Sequence, residues 1–130
     1  MSKPFGIIQL QRPPGLVFEL PAPPPINRNS AVARLGMSAR SVQEWIPQAH
    51  LALREQKINP VRDAVHGPFA IDIIWGRRRG DIDARIKYLL DYLQRVELID
   101  NDGLCEHMTV GWGYAPRGCR VHLTPWGSHE

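Results

Sequence analysis

Apolar and polar residues change their spacing several times along the chain, and each change marks an element. Leu16-Val17-Phe18-Glu19-Leu20 reads as a short strand. Between residues 38 and 57, Val42, Ile46, Ala49 and Leu53 recur every three to four positions, with Trp45 and Ala52 flanking the same face. That is the spacing of an amphipathic helix, with Ser38 or Ser41 as its cap. Pro47 falls inside it, where the lost N–H and the ring clash cost about 3 kcal/mol, so the helix is kinked or built as two pieces with Pro47 opening the second. After Gly67-Pro68, the residues Phe69, Ile71, Ile73 and Trp75 alternate with Ala70, Asp72 and Ile74, the period-two pattern of a strand. A second helix is predicted from Asp81 to Val96, with Ile82, Ile86, Leu89, Leu90 and Leu93 as its apolar stripe. Asp100-Asn101-Asp102-Gly103 is a turn. Leu104 to Tyr114 and Cys119 to Leu123 are predicted to form a hairpin around Ala115-Pro116-Arg117-Gly118, where proline second and glycine fourth suit a type I turn.

The predicted order is β-α-β-α-β-β, an α+β fold in one domain with a small mixed sheet and two helices packed on it. The domain spans residues 15–130, behind an N-terminal arm over residues 1–14. Six of the twelve prolines lie between Pro13 and Pro25. Pro21-Ala22-Pro23-Pro24-Pro25 lacks donors and has fixed φ, so it reads as an extended, stiff loop, or alternatively as a polyproline ligand for a partner.

Composition narrows the function classes only slightly. The chain has 130 residues, 43% hydrophobic and 22% charged, as in ordinary soluble domains. A net charge of +3 and a pI near 9.2 mildly favour acidic partners. No run approaches the roughly 20 apolar residues of a membrane span. Ile7 to Leu10 is too short for a secretory core. With two cysteines and no such signal, the expected setting is the cytoplasm, without membrane association.

Candidate chemistry concentrates after the central strand. Asp81 falls at a helix N-cap position, Asp83 in the first turn, and Lys87 one turn later, while Ile82 and Ile86 are expected to point into the core. Asp102 follows the same helix and reaches the pair only through tertiary packing. A purely structural reading covers all of this: capping by Asp81, salt bridges Asp83–Lys87 or Lys87–Asp91, and ordinary turn chemistry at Asp100 to Gly103. Against it stand Arg77, Arg78 and Arg79, directly before the aspartates. Such a cationic run is costly unless something acidic sits on it. Carboxylates are hard ligands for Mg²⁺ or Mn²⁺, and arginines hold phosphates. Together they suit a metal-dependent phosphodiesterase.

Three landmarks carry a family resemblance. Asp81-Ile82-Asp83-Ala84-Arg85-Ile86-Lys87 resembles the D-[LI]-D-N-x-x-K segment of the RusA family of Holliday-junction resolvases. Leu20-Pro21-Ala22-Pro23-Pro24 with Asn27-Arg28 resembles its L-P-x-P-P and N-R, and Leu98-Ile99-Asp100-Asn101-Asp102 resembles the acidic turn ending its second helix. The resemblance spans roughly residues 16 to 124. It implies a homodimer that nicks paired strands of a four-way DNA junction in repair and recombination, in bacteria or prophages, with Mg²⁺ or Mn²⁺ and no small-molecule cofactor. By this resemblance Asp81, Asp83 and Asp102 hold the metal and Lys87 is the catalytic lysine. Arg77, Arg78 and Arg79 contact DNA, with Arg28 and Arg85 as further candidates. The chain departs from the family at Ala84, where asparagine is usual, and at Asn101, often the first aspartate. Asp100 competes with Asp102 for the ligand role.

Other signals are weaker. Cys105, His107, Cys119 and His122 are zinc-ligand types, but their spacings match no common zinc motif. The acidic turn lacks the ligand pattern of an EF-hand. Trp75, Trp112 and Trp126 are candidates for stacking on unpaired bases, with Trp75 read as core. Three functions therefore compete: a structure-selective endonuclease, a DNA-binding module that cleaves weakly or not at all, and a zinc- or partner-binding structural protein.

Overall fold

The computed structural model describes residues 15–26 and 40–127. The arm over residues 1–14, Asn27, Arg28 and the candidate cap Ser38 lie outside the described residues. In chain order the elements are β1 (Leu16–Leu20), α1 (Arg40–Glu55), α2 (Pro60–Asp63), β2 (Phe69–Trp75), α3 (Ile86–Arg95), a 3-10 turn (Asp102–Leu104), β3 (Cys105–Trp112) and β4 (Cys119–Pro125). The class is α+β, with three α-helices and one four-stranded mixed sheet among the described residues. The short α2 was not foreseen. It is held by Asn59, whose side chain accepts from the Val61 N–H, and by Pro60 at its first position.

Period-two alternation places one face of the sheet in the core. Phe69, Ile71, Ile73 and Trp75 of β2 are buried, as are Phe18 and Leu20 of β1 and Cys119, Val121 and Leu123 of β4. Of the intervening residues on the other face, Asp72, Ile74, Arg120 and His122 are half-buried and Val17 is exposed. The helices cover the buried face. Val42, Trp45, Ala49, Ala52 and Leu53 of α1 are buried, as are Leu89, Tyr92 and Leu93 of α3. Trp45 meets Tyr92 edge-on at 4.9 Å, joining the two helices. Burial pushes the Tyr92 hydroxyl up to about 12, and it stays satisfied by His50 Nδ1 at 2.7 Å.

α1 runs through Pro47 as one continuous helix, not as two pieces. Pro47 and Gln43 are both exposed, so water can satisfy the Gln43 carbonyl that lacks a helical donor.

The strand order is β1-β4-β2-β3. β4 runs antiparallel to both β1 and β2, and β3 runs parallel to β2. The expected β3–β4 hairpin is therefore absent, because β2 lies between the two strands. The turn chemistry itself is as read: the Gly118 N–H donates to the Ala115 carbonyl at 3.0 Å. That turn does not join neighbours. It carries the chain across the end of β2, where the Gly113 N–H donates to Trp75 and the Gly76 N–H donates to Gly118. A Cβ on Gly76 would stand 2.2 Å from the Ala115 carbonyl oxygen, so only glycine admits this crossing.

The outer edge of β1 is closed by a side chain. The Gln56 amide accepts from the Glu19 N–H and donates to the Glu19 carbonyl, both at 2.8 Å, and also donates to Ala52. Among the described residues no strand pairs with this edge, and the amide occupies that place. Replacing Gln56 by Leu leaves the Glu19 backbone pair without these partners. We expect a loss of about 1–3 kcal/mol, read as a lower urea midpoint at unchanged slope. A midpoint equal to wild type would mean that water serves the edge equally well.

Candidate functional site

The register sets which loops meet. Leu20 and Trp75 both pair with Cys119, and Trp75 also pairs with Trp112. The C-terminal ends of β1, β2 and β3 therefore lie together, with the start of β4. From this end emerge the proline loop after β1, the arginine strip after β2 and the Gly113–Gly118 crossing. The Asp81–Arg85 turns and the start of α3 also lie here, because α3 runs back along the sheet from them.

α3 begins at Ile86 rather than at Asp81. Tertiary donors explain the delay. The Trp75 indole N–H donates to the Ile82 carbonyl, and the Ile26 N–H donates to the Ala84 carbonyl, both at 2.8 Å. These carbonyls would otherwise accept from Ile86 and Tyr88 in a helix. Asp81 thus caps no helix; Arg85 holds the cap position and makes no side-chain cap bond. Ile82 is exposed rather than in the core, and Ile86 packs only partly against it.

The structural explanations for the aspartate pair fall away. Both Asp81 and Asp83 are exposed. Among the described residues, neither carboxylate has a hydrogen-bond or salt-bridge partner. Lys87 turns to Asp91 instead, donating to its two oxygens at 3.2 and 3.3 Å. Asp91 was weighed only as a possible salt-bridge partner, and the structure makes it the one that holds Lys87. Asp83 is left uncommitted.

Asp100 has structural work. Its carboxylate accepts from the Gly67 N–H and from His66 Nδ1, both at 2.8 Å. Asn101 likewise caps the following 3-10 turn, accepting from the Gly103 N–H at 2.7 Å. Asp102 is half-buried, and its N–H donates to Gln94 Oε1 at 2.9 Å. This fixes Asp102 at the far end of α3, beside the start of β3. From Ile86 to Gln94 the helix rises about 12 Å. The expected approach of Asp102 to Asp81 and Asp83 is thus not made within one chain, because α3 carries the polypeptide back down the sheet. Among the described residues no group of three or more His, Cys, Asp or Glu side chains is placed to hold a metal ion. The zinc-type residues are also apart: Cys105 and His107 lie on edge strand β3, Cys119 and His122 on β4, with β2 between. Cys119 is buried on the helix side, and burial pushes its thiol up to about 12.

The cations are better gathered. Arg77, Arg78 and Arg79 are exposed, and Arg78 sits over the Trp112 ring at 5.2 Å. Arg85 is half-buried and donates to the Arg79 carbonyl at 3.0 Å. Desolvation, with the neighbouring Arg79 charge, lowers its pKa. Arg117 joins them from the crossing, paired with Glu55 at 2.9 Å. Arg117 was missed because the hairpin reading gave no reason to place that turn over β2. Trp75 is core, as read; Trp126 is exposed and stacks on His107 at 5.7 Å.

No protein-family model matches the chain, and no curated protein matches it. No helix among the described residues is long and apolar enough to cross a membrane.

The Asp100 contact makes stability depend on acid. The Gly67 N–H, and then His66, hold the Asp100 carboxyl below its ordinary 3.8. A depressed folded pKa contributes stability that is present above the unfolded value and lost as pH falls through the folded value. We expect wild type to be more stable than Asp100→Asn near neutral pH, with the gap in urea midpoint closing as pH drops below 3.8. A gap that stays constant down to the folded pKa would contradict this.

Proposed function

We propose that this protein is a divalent-metal-dependent endonuclease that cuts branched DNA, resolving four-way junctions by paired nicks as a homodimer in repair and recombination. The observation that carries the reading is an uncommitted carboxylate pair beside an uncompensated cationic strip. Asp81 and Asp83 have no partner among the described residues, and Arg77 and Arg79 have none either. The resemblance to RusA-type resolvases across three landmarks adds the substrate.

The two aspartates suit a hard cation of the Mg²⁺ or Mn²⁺ kind, which keeps several waters and takes one or two carboxylates together with substrate phosphates. When bound, that ion supplies a water of lowered pKa and neutralises charge on the phosphate. The chain's own residues do the rest. Arg77, Arg78 and Arg79 hold flanking phosphates and fix the strand in register. Lys87 lies at the start of α3, close to the turn, and its exposed pair with Asp91 is weak enough to exchange for a phosphate oxygen. Asp102 is not part of the proposed single-chain site.

The distance of Asp102 favours a second reading, a DNA-binding module without cleavage. A gel assay on a synthetic four-way junction separates the two. We expect nicking in Mg²⁺ or Mn²⁺ by wild type. Asp83→Asn should bind normally and nick about a hundredfold more slowly or worse. Junction binding without any nicking by wild type would select the second reading. Equal loss of binding and nicking in Asp83→Asn would make that residue structural.

A parallel test addresses the arginines. Arg77→Ala with Arg79→Ala should weaken junction binding and flatten its dependence on salt by about one to two units of log–log slope. An unchanged slope would remove these residues from the interface.

A further inference from the structure

The end of the sheet that carries the arginines also encloses a cleft of about 540 Å³. Three segments build it. The proline loop Ala22–Pro25 forms one wall, the arginine strip after Trp75 forms the second, and the Ala115–Gly118 crossing forms the third. Among the described residues, four arginines line it (Arg77, Arg79, Arg85 and Arg117), and no acidic residue does. Only Arg117 among them is salt-bridged within the described residues.

This composition selects a ligand. Arg85 is partly desolvated and lies against the charge of the neighbouring Arg79, so the empty cleft is electrostatically unfavourable there. An anion relieves both costs, and guanidinium forks match phosphate oxygens. The remaining wall is different. Pro24 and Pro25 have no N–H to offer and present apolar ring surface, backed by the buried Pro23 and Ala115. A bare phosphate would leave that surface wet. The cleft is of the size that small-molecule pockets generally have, with room for a base and a sugar.

We propose that this cleft is a nucleotide subsite, separate from Asp81 and Asp83, that takes one unpaired nucleotide of a DNA strand. The arginines grip its phosphate, and the base and sugar lie against the proline loop. This rests on the endonuclease reading for its substrate and extends it: the subsite selects DNA that is unpaired at a branch. The strand then continues past the arginine strip toward the aspartate turn, which the Ile26–Ala84 bond ties to the proline loop.

The test fills the cleft without touching a charge. Ala22 is exposed and lines it, so Ala22→Phe narrows the space and keeps every arginine. Binding is measured by fluorescence anisotropy in EDTA, with a labelled single strand and with a fully paired duplex of equal length. We expect Ala22→Phe to weaken single-strand binding about tenfold and to leave duplex binding unchanged. Arg117→Ala should act in the same direction, and both variants should retain the wild-type melting temperature. Single-strand binding unchanged in both variants would overturn the proposal, as would equal weakening for strand and duplex.

Thymidine monophosphate and inorganic phosphate, titrated separately, give a further arm. Tighter binding of the nucleotide, lost in Ala22→Phe, supports the subsite. Equal binding of both anions reduces the cleft to a phosphate site and overturns the nucleotide part. Thymidine monophosphate binding by a protein that binds no DNA strand assigns the cleft to a free nucleotide and overturns the strand part. The two readings fail separately: strand binding without nicking sinks the endonuclease and leaves the cleft, whereas Ala22→Phe nicking and binding like wild type sinks only the cleft.

Discussion

The chain crosses the C-terminal end of β2 at van der Waals range, and much of the molecule follows from that contact. Gly76 lies against the Ala115 carbonyl, and Gly118 lies against the backbone of Ala22, where a Cβ would approach the Ala22 nitrogen to 2.3 Å. The two glycines let three loops stack without side chains between them. The crossing places β4 on the far side of β2, and β4 in turn recruits β1. The proline loop is thereby drawn over the same end of the sheet as the arginines. The Trp75 indole completes the arrangement from below by capturing the Ile82 carbonyl. One end of the sheet becomes crowded with polar loops, while the buried face stays apolar.

Most of the elements could be read from spacing alone, since period-two and three-to-four patterns report which face is buried. Phe69 to Trp75 and the α1 residues behaved as that logic requires. Partners could not be read in this way. Alternation in Cys105–Trp112 and Cys119–Pro125 is equally consistent with a hairpin and with strands separated by a third. The first turn of α3 was misplaced for a related reason. Asp81, Ile82 and Asp83 look like a helix start locally, but Trp75 and Ile26 compete for the carbonyls that the helix would need. Exposure of Ile82 follows directly. A long-range donor is invisible to any local pattern.

The same division runs through the site. That Asp81, Asp83 and the arginines share a neighbourhood was legible, because they are adjacent in sequence. Asp102 was tied to them only by the family resemblance, and the path of α3 separates them. Arg117 and the prolines moved in the opposite direction, from a hairpin turn and a stiff loop to walls of the arginine cleft. Asp100 and Asn101, near neighbours of Asp102, are occupied in holding the base of β2 and the 3-10 turn. The uncommitted pair Asp81 and Asp83 thus stands at one end of the α3 crossover, and the structurally occupied Asp100 at the other.

The proposed cation site is Asp81 and Asp83 rather than the Asp100–Asp102 turn. Substoichiometric Mn²⁺ added to the ¹⁵N-labelled protein tests it directly, by recording which amide signals broaden first. The account expects the earliest and strongest loss at Asp81 to Ala84, with Asn101 to Gly103 retained. Loss centred on Asn101 to Gly103, with the Asp81 turn spared, would contradict it.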